Sequence, residues 1–298
     1  MTHAPTRRTV LAGTASLAAG LAGCAGVGGR SEPISVLAAG SLQNALTNGL
    51  RDAVDADLTV EAYGSRHAAQ LVAEGQRDPD ILVLADVELF ESVLSTPWYA
   101  AFASNALAVA YNPDTEAGRR VPEADRWYEP LLSPSFRLGR TDPDLDPLGY
   151  RTLLALELAS KYYDEPDLRT RVISRKQVYP ETQLLAQFET GGLDAAVVYR
   201  NMAVERDYPY VELPAAVNLS APSLADRYAT ATVTLDDGTT VTGSPIAYGA
   251  TLRTDRSAAR SVFETLVAST DDYLTDHGFV LRDAHPTYHG NVPDRINN

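Results

Sequence analysis

The amino-acid sequence predicts an α/β protein of two lobes with a cleft between them, and three observations lead there. Short apolar runs alternate with amphipathic stretches from Ile34 onward, beginning with ISVLAA. The alternation restarts after Asn112-Pro113, with its own strand, its own Asp- and Pro-rich corner and its own helices. A last apolar run near Tyr248, followed by a helical pattern, returns at the C-terminal end and can complete the first unit. Repeated strand-helix pairs build open sheets with helices on their faces. The 298 residues suffice for two such lobes, each with a core. The rival arrangement is one large α/β domain.

In chain order, Ile34 to Ala39 reads as a buried strand and Leu42 to Val54 as the helix behind it. Leu58 to Ala62 is a second short strand, Gly64-Ser65 its corner, and a helix runs from about Arg66 to Glu74. DILVLA, Asp80 to Ala85, is apolar almost throughout, as a central strand covered on both faces must be. Asp86 then stands where it can cap a helix beginning near Val87. Ala106 to Tyr111 is a strand stopped by Asn112-Pro113.

In the second unit Phe136 to Gly139 is a strand, Thr141 to Gly149 a long polar corner, and Tyr150 to Tyr163 an amphipathic helix. Glu181 to Glu189 is helical, and Leu193 to Arg200 is a strand with a helix after it. Between Ala229 and Tyr248, β-prone segments flank the turn Asp236-Asp237-Gly238, and Ser257 to Ser269 is a helix. The tail, with His277, His285 and His289, reads as surface turns. Lobe 1 is therefore expected over residues 34–111 and 246–298 and lobe 2 over 112–245, with crossings near Tyr111 and Pro245.

The chain begins with Arg7-Arg8, an apolar segment of small residues, and Leu21-Ala22-Gly23-Cys24. A paired Arg, a short apolar region and a small-residue processing site describe an export signal over residues 1–23. It is too short to span a hydrocarbon layer of about 30 Å comfortably. Cys24 is the only cysteine and can form no internal disulfide. Its setting resembles a lipobox, in which the cysteine is lipidated and becomes the first mature residue; the arginine pair resembles a twin-arginine signal, with Val10 where Phe is usual. Residues 24–33 are then a flexible, lipid-anchored tether, and the body faces the outside. The plainer alternative is an apolar N-terminal helix with an incidental cysteine.

A formal charge of −14 argues against nucleic acid as a partner, since such a surface repels phosphate. The basic residues are nearly all Arg, with only Lys161 and Lys176 as lysines. That balance resembles proteins of salt-loving archaea. At molar salt the Debye length is about 3 Å, so crowded carboxylates repel weakly.

Two corners carry the candidate chemistry. Gly40-Ser41 and Gly64-Ser65 each place a glycine and a hydroxyl between a strand and a helix. Unpaired N–H groups of a first helical turn point outward there, and glycine lets a ligand approach the backbone. Two such corners on adjacent parallel strands can converge on one anion at the carboxyl edge of a sheet. The alternative is that Ser41 and Ser65 cap their own helices. A serine hydrolase is disfavoured, because neither serine has the Gly-x-Ser-x-Gly frame or an evident histidine partner. Zinc-type His or Cys spacing and a Walker loop are absent from the sequence. In the loop Thr141 to Gly149, Asp146 can cap the helix begun by Pro147.

The chain resembles the archaeal tungstate/molybdate-binding proteins of ABC importers, within the periplasmic-type solute-binding superfamily. The resemblance is carried in order by AGSL (Ala39 to Leu42), YGS (Tyr63 to Ser65), DILVLAD (Asp80 to Asp86) and TDPDLDPLGYRT (Thr141 to Thr152). It continues through ETQLLAQFETGGLDAAVVYRNMA (Glu181 to Ala203), YVELP (Tyr210 to Pro214) and PIAYGATL (Pro245 to Leu252).

The resemblance implies a type II, periplasmic-binding-protein-like fold with the ligand in the interlobe cleft. It implies that Ser41, Ser65, Tyr199 and backbone N–H groups around Asp146 grip the oxyanion. It further implies that Asp146 and Glu181 bind the Mo or W of that oxyanion, raising it from four- to six-coordinate. Glu181 has an alternative use as a first-turn acid on its helix, and Tyr199 as an ordinary half-buried aromatic. Two ionised carboxylates against a dehydrated sulfate would repel it, whereas a metal able to accept further oxygens turns the same acids into ligands.

The function expected is an extracytoplasmic, non-enzymatic receptor that closes on tungstate or molybdate and delivers it to an ABC permease with its ATPase subunit. It needs no cofactor, works as a monomer and meets the membrane through its lipid anchor. The alternatives are a receptor for sulfate, phosphate or another small anion, and an extracellular carboxylate-dependent hydrolase using Asp146 and Glu181 as acid and base.

Overall fold

The computed structural model describes residues 32–174, 177–268 and 272–296. The expected export signal, Cys24 and most of the tether lie outside the described residues. Strands β1 (Ile34–Ala39), β2 (Leu58–Tyr63), β3 (Ile81–Leu84) and β4 (Trp98–Ala103) come first. Strands β5 (Leu107–Tyr111), β6 (Leu138–Thr141), β7 (Val178–Tyr179), β8 (Ala195–Tyr199) and β9 (Tyr210–Glu212) make a second sheet in the order β7-β6-β8-β5-β9. A separate antiparallel hairpin joins β10 (Thr232–Thr234) to β11 (Thr240–Thr242). The chain then returns to the first sheet with β12 (Tyr248–Leu252) and β13 (Thr287–Gly290), in the order β13-β4-β12-β3-β1-β2. Two sheets with helices packed on them make a bilobed α/β fold.

The parallel pairing of β1 with β2 sets up the site. Its register matches Ala39 with Tyr63, so the chain leaves both strands at the same sheet edge and the Gly40-Ser41 and Gly64-Ser65 corners fall side by side. The apolar DILVLA segment supplies β3, fully buried between β1 and β12. Because β12 runs antiparallel to β3 and β4, the first sheet is mixed rather than all-parallel.

Strand β5 belongs to the second sheet. It pairs with β8, Leu107 opposite Tyr199, and with β9. The chain therefore passes between sheets in the short link from β4 to β5, and not at Tyr111, where the sequence placed the passage. A strand buried on both faces reads the same in either sheet, so its pattern does not choose its partner. Trp98–Ala103 and Thr287–Gly290 are strands that the sequence did not reveal. The second is a mostly exposed edge strand whose His289 stacks on Tyr99, with ring centroids 4.8 Å apart. His289 is thus a strand residue rather than part of a surface turn.

The segment expected as one helix from Leu42 to Val54 is less regular. A 3-10 turn at Gly40–Leu42 leads into π-helical Ala45–Leu50 and a last turn at Arg51–Ala53. A Cβ at Gly49 would meet the Tyr273 side chain at 3.0 Å, so tertiary packing uses the missing side chain there. The helices that matter for the site are α1 (Ser65–Ala73), α2 (Pro147–Tyr163), α3 (Glu181–Glu189) and α4 (Arg200–Val204). Of these α2 is buried along most of its length, from Pro147 through Ser160.

Just beyond α4, Glu205 is a buried acid with a measurable consequence. Its side chain is 4% exposed, its nearest cation is Arg206 Nε at 3.7 Å, and its Oε2 lacks a hydrogen-bond partner. Burial pushes its carboxyl up from the ordinary 4.5 to about 7, against the opposing pull of Arg206 and Asn44. Between those two values the folded state holds a proton that the unfolded chain has released. Stability from this group is therefore highest at acid pH and falls as pH rises through about 7. Glu205→Gln is expected to stabilise the fold at about pH 8 by roughly 1–3 kcal/mol and to flatten this part of the pH profile. Thermal unfolding of both proteins across pH checks it; identical profiles would refute it.

Candidate functional site

The first corner is held by groups from far along the chain. The N–H of Gly40 donates to Glu181 Oε2 at 2.9 Å, and that of Ser41 donates to Glu181 Oε1 at 3.2 Å. Ser41 Oγ lies 3.0 Å from the Tyr248 hydroxyl, and Asn201 Nδ2 donates to the Ser41 carbonyl at 2.8 Å. Asn105 Nδ2 in turn donates to Asn201 Oδ1 at 2.7 Å and to Tyr248 at 3.2 Å. These buried amides and hydroxyls orient one another and fix the corner, as satisfied polar networks do.

The second corner takes its place against the polar loop of the other sheet. Ser65 is fully buried at the start of α1, and its Oγ accepts the N–H of Ala85 at 2.9 Å, an arrangement that leaves its proton to donate. Neither Ser41 nor Ser65 makes the capping bond of its own helix. The N–H of His67 donates to the Leu145 carbonyl at 3.0 Å. A Cβ on Gly64 would come within 2.7 Å of that carbonyl oxygen and 2.9 Å of Asp146 Cβ. Glycine is required here by close approach and not by its backbone angles, since φ is −57°.

Asp146 does what the Asp-Pro sequence predicts locally and leaves an atom over. It precedes Pro147 in extended conformation and accepts the N–H of Leu148 on Oδ1 at 3.2 Å. Its other oxygen, Oδ2, is buried and lacks a hydrogen-bond partner. An orphaned buried acceptor is costly unless something else is bound to it.

Tyr199, at the end of β8, is fully buried, and its hydroxyl accepts from Arg151 Nη1 at 2.8 Å. The same nitrogen donates to the Ala85 carbonyl, Arg151 Nη2 lies 3.4 Å from Asp86 Oδ2, and the Tyr150 hydroxyl donates to that Asp86 oxygen. Asp86 is thus a buried partner of Arg151 as well as the acceptor for the Glu88 N–H at 3.2 Å. Because its oxygen is occupied by an Arg donor, the Tyr199 hydroxyl keeps its own proton for another acceptor.

A cavity of about 70 Å³ lies between the second corner, the Asp146 loop and the start of α3, lined by Gly64, His67, Asp142, Asp146, Pro180 and Glu181 among others. Of its three acids, Asp146 and Glu181 are each 2% exposed and Asp142 is half-buried. Burial pushes Asp146 up to about 6, against the nearby Thr141 hydroxyl, the Leu148 N–H and the Arg151 charge. Burial and then the neighbouring Asp146 raise Glu181 well above the ordinary range, while the two corner N–H groups oppose the rise. Burial also raises the Tyr199 hydroxyl, which feels the fields of Arg151, Asp146 and Glu181.

The structure thus brings Ser41 to Glu181 and sets Asp146 and Glu181 around one cavity, whereas Ser65 and Tyr199 do not line it and are bonded to Ala85 and Arg151. Sequence reasoning did not single out Arg151, Tyr248, Asn105 or Asn201. Arg151 and Tyr248 lie inside the segments GYRT and PIAYGATL, but nothing local distinguishes them until their contacts are known. Chemically, the cavity sets two buried acids, one of them bonded to the N–H groups of the first corner, around a space the size of a small ion.

Comparison with known proteins adds the following. Residues 34–280 match the sequence model of the family described as bacterial extracellular solute-binding protein. Over 292 residues the chain is 58% identical to a putative ABC transporter molybdenum-binding protein of Haloferax volcanii, covering 96% of this chain and 95% of the relative. It is 29% identical over 271 residues to the molybdate/tungstate-binding protein WtpA of Pyrococcus abyssi, covering 79% and 78%. Among solved structures, the periplasmic molybdate-binding protein of Azotobacter vinelandii superposes with a TM-score of 0.58 at 12% identity, over 84% of this chain and all of that one. The sulfate-binding protein SubI of Mycobacterium tuberculosis also gives 0.58, at 14% identity over 84% and 87%. At such identities the structural likeness speaks for the fold alone.

Proposed function

Since the chain belongs to the family of bacterial extracellular solute-binding proteins, we propose that it captures molybdate or tungstate outside the cytoplasm and presents it to an ABC permease with its ATPase subunit. The family consists of binding receptors and not catalysts, which sets the hydrolase alternative aside. The observation that carries the choice of anion is the pair of buried acids, Asp146 and Glu181, in one small cavity beside two Gly-Ser corners. The fold does not make this choice, because a sulfate-binding protein superposes equally well.

In this reading the N–H groups of Gly40 and Ser41, the hydroxyls of Ser41 and Ser65, and the Tyr199 hydroxyl hold the oxygens of the anion. Asp146 Oδ2, buried and unpartnered, and a carboxyl oxygen of Glu181 reach the metal centre. Oxygen donors of this kind suit a high-valent metal that can add ligands, and they repel a sulfur or phosphorus centre that cannot. The oxyanion is cargo, held until lobe closure is read by the permease. The lobes are assigned to the first sheet with its returning strands and to the second sheet with its hairpin. A lipid on Cys24, twin-arginine-like export and action as a monomer complete the proposal.

Isothermal titration of the mature chain in concentrated salt tests it. Tungstate and molybdate are expected to bind one to one, about 100-fold or more tighter than sulfate or phosphate, a gap of about 3 kcal/mol. Sulfate binding as tight as tungstate would refute the choice of ligand.

A further inference from the structure

Glu181 occupies the place that the proposed ligand needs. Its two carboxyl oxygens sit on the N–H groups of Gly40 and Ser41, one each, at 2.9 and 3.2 Å. The fit is close: a Cβ on Gly40 would stand 2.6 Å from Glu181 Oε2. The acid comes from the first residue of α3, behind Pro180, 141 positions from Gly40, and is 2% exposed. A first-turn glutamate serving only its own helix has no need to cross to the other lobe's backbone.

We propose that Glu181 is a built-in competitor for the anion site, and that displacing it is a step that selects the cargo. This rests on the oxyanion-receptor reading. In the empty protein its carboxyl oxygens hold the two corner N–H groups as a tethered surrogate acceptor, present at the high effective concentration of any intramolecular group. An incoming oxyanion must take those donors and push the carboxyl aside. If the anion has a metal centre with room for another oxygen, the displaced carboxyl gains a new partner within the same cavity. If the centre is sulfur or phosphorus, the carboxyl is left buried, without donors, beside a dianion. The discrimination therefore acts on the release of Glu181 as well as on the bond it makes afterwards, and it penalises the wrong anion directly.

The two contributions separate by substitution. Titrations of the mature chain with sodium sulfate and with sodium tungstate compare wild type, Glu181→Ala and the near-isosteric Glu181→Gln. The inference is read from sulfate: Glu181→Ala is expected to bind it about 10-fold or more tighter than wild type, and Glu181→Gln, with one acceptor oxygen left, in between. Sulfate binding that is unchanged or weaker in both variants overturns the competitor, whatever tungstate does. The tungstate arm judges the receptor reading separately, since loss of a metal ligand weakens tungstate in both variants. If Glu181→Ala does not fold, Glu181→Gln carries the sulfate comparison. Amide resonances provide a direct check: those of Gly40 and Ser41 move upfield in Glu181→Ala as the acceptor is lost, and unmoved resonances also overturn the proposal.

Discussion

Replacing Asp146 by asparagine is expected to weaken tungstate binding by about 100-fold while leaving the fold and α2 in place. The substitution separates the two uses of this residue. Asparagine caps a helix as well as aspartate does, so the Leu148 N–H, now bonded to Oδ1 at 3.2 Å, keeps its acceptor. What disappears is the negative charge at the second oxygen, the buried Oδ2 that lacks a partner. Removing one charged partner of a buried pair costs roughly 2–5 kcal/mol in binding, hence a loss of tens- to thousands-fold.

The pH dependence supplies a second readout. Burial holds Asp146 at about 6, and only its ionised form offers a negative oxygen to a metal. Wild-type affinity should therefore fall as pH drops through about 6, and the raised Glu181 acts in the same direction. The acids share a cavity with Arg151, Asp142 and Tyr199 close by in their fields, so the step belongs to the pair and its surroundings. In Asp146→Asn the step should shrink. Titration at about pH 5 and about pH 8, with melting curves as a control on folding, checks both. Wild-type affinity retained by the asparagine variant would remove Asp146 from the ligand set.

Gly64→Ala should weaken tungstate binding about 10- to 100-fold by keeping the second corner and the Asp146 loop apart. Gly64 has φ −57° and ψ 134°, angles open to any residue, so alanine strains nothing locally. Its methyl group, however, would stand 2.7 Å from the Leu145 carbonyl oxygen and 2.9 Å from Asp146 Cβ. These neighbours are backbone and a Cβ, which cannot swing away as a side-chain tip can. One side must retreat by several tenths of an ångström, taking the Asp146 oxygens or the Ser65 corner with it. A retreat of that size in a dehydrated ring of donors is enough to spoil several contacts at once. Titration with tungstate measures the loss, and small-angle scattering of the ligand-bound protein measures any more open form. An unchanged affinity would mean that the corner and loop need not touch in the loaded protein.

Part of the candidate site was legible before the structure because some of its pieces are local. Gly-Ser at a strand end marks a strand-to-helix corner, and Asp followed by Pro at a helix start bonds an N–H two residues on, so short patterns are sufficient to mark them. Ser41 and Ser65 could be picked out as candidates on that ground, and Asp146 as a cap; the resemblance added a ligand role for Asp146, Glu181 and Tyr199. Arg151 could not be, since its meaning comes from reaching Tyr199 and Asp86 at once. Tyr248, Asn105 and Asn201 form a chain of contacts to Ser41 from three separate parts of the sequence.

Periodicity and turn chemistry, which are properties of neighbouring residues, determined by themselves that this chain alternates strand and helix in two units and places two glycine-hydroxyl corners at strand ends. Only the tertiary structure decided that β5 joins the second sheet, and that Glu181 lies on the amides of Gly40 and Ser41. The physical reason is that a buried strand, or a buried acid, satisfies its hydrogen bonds with partners brought close by packing, and sequence separation carries no record of which partner that will be.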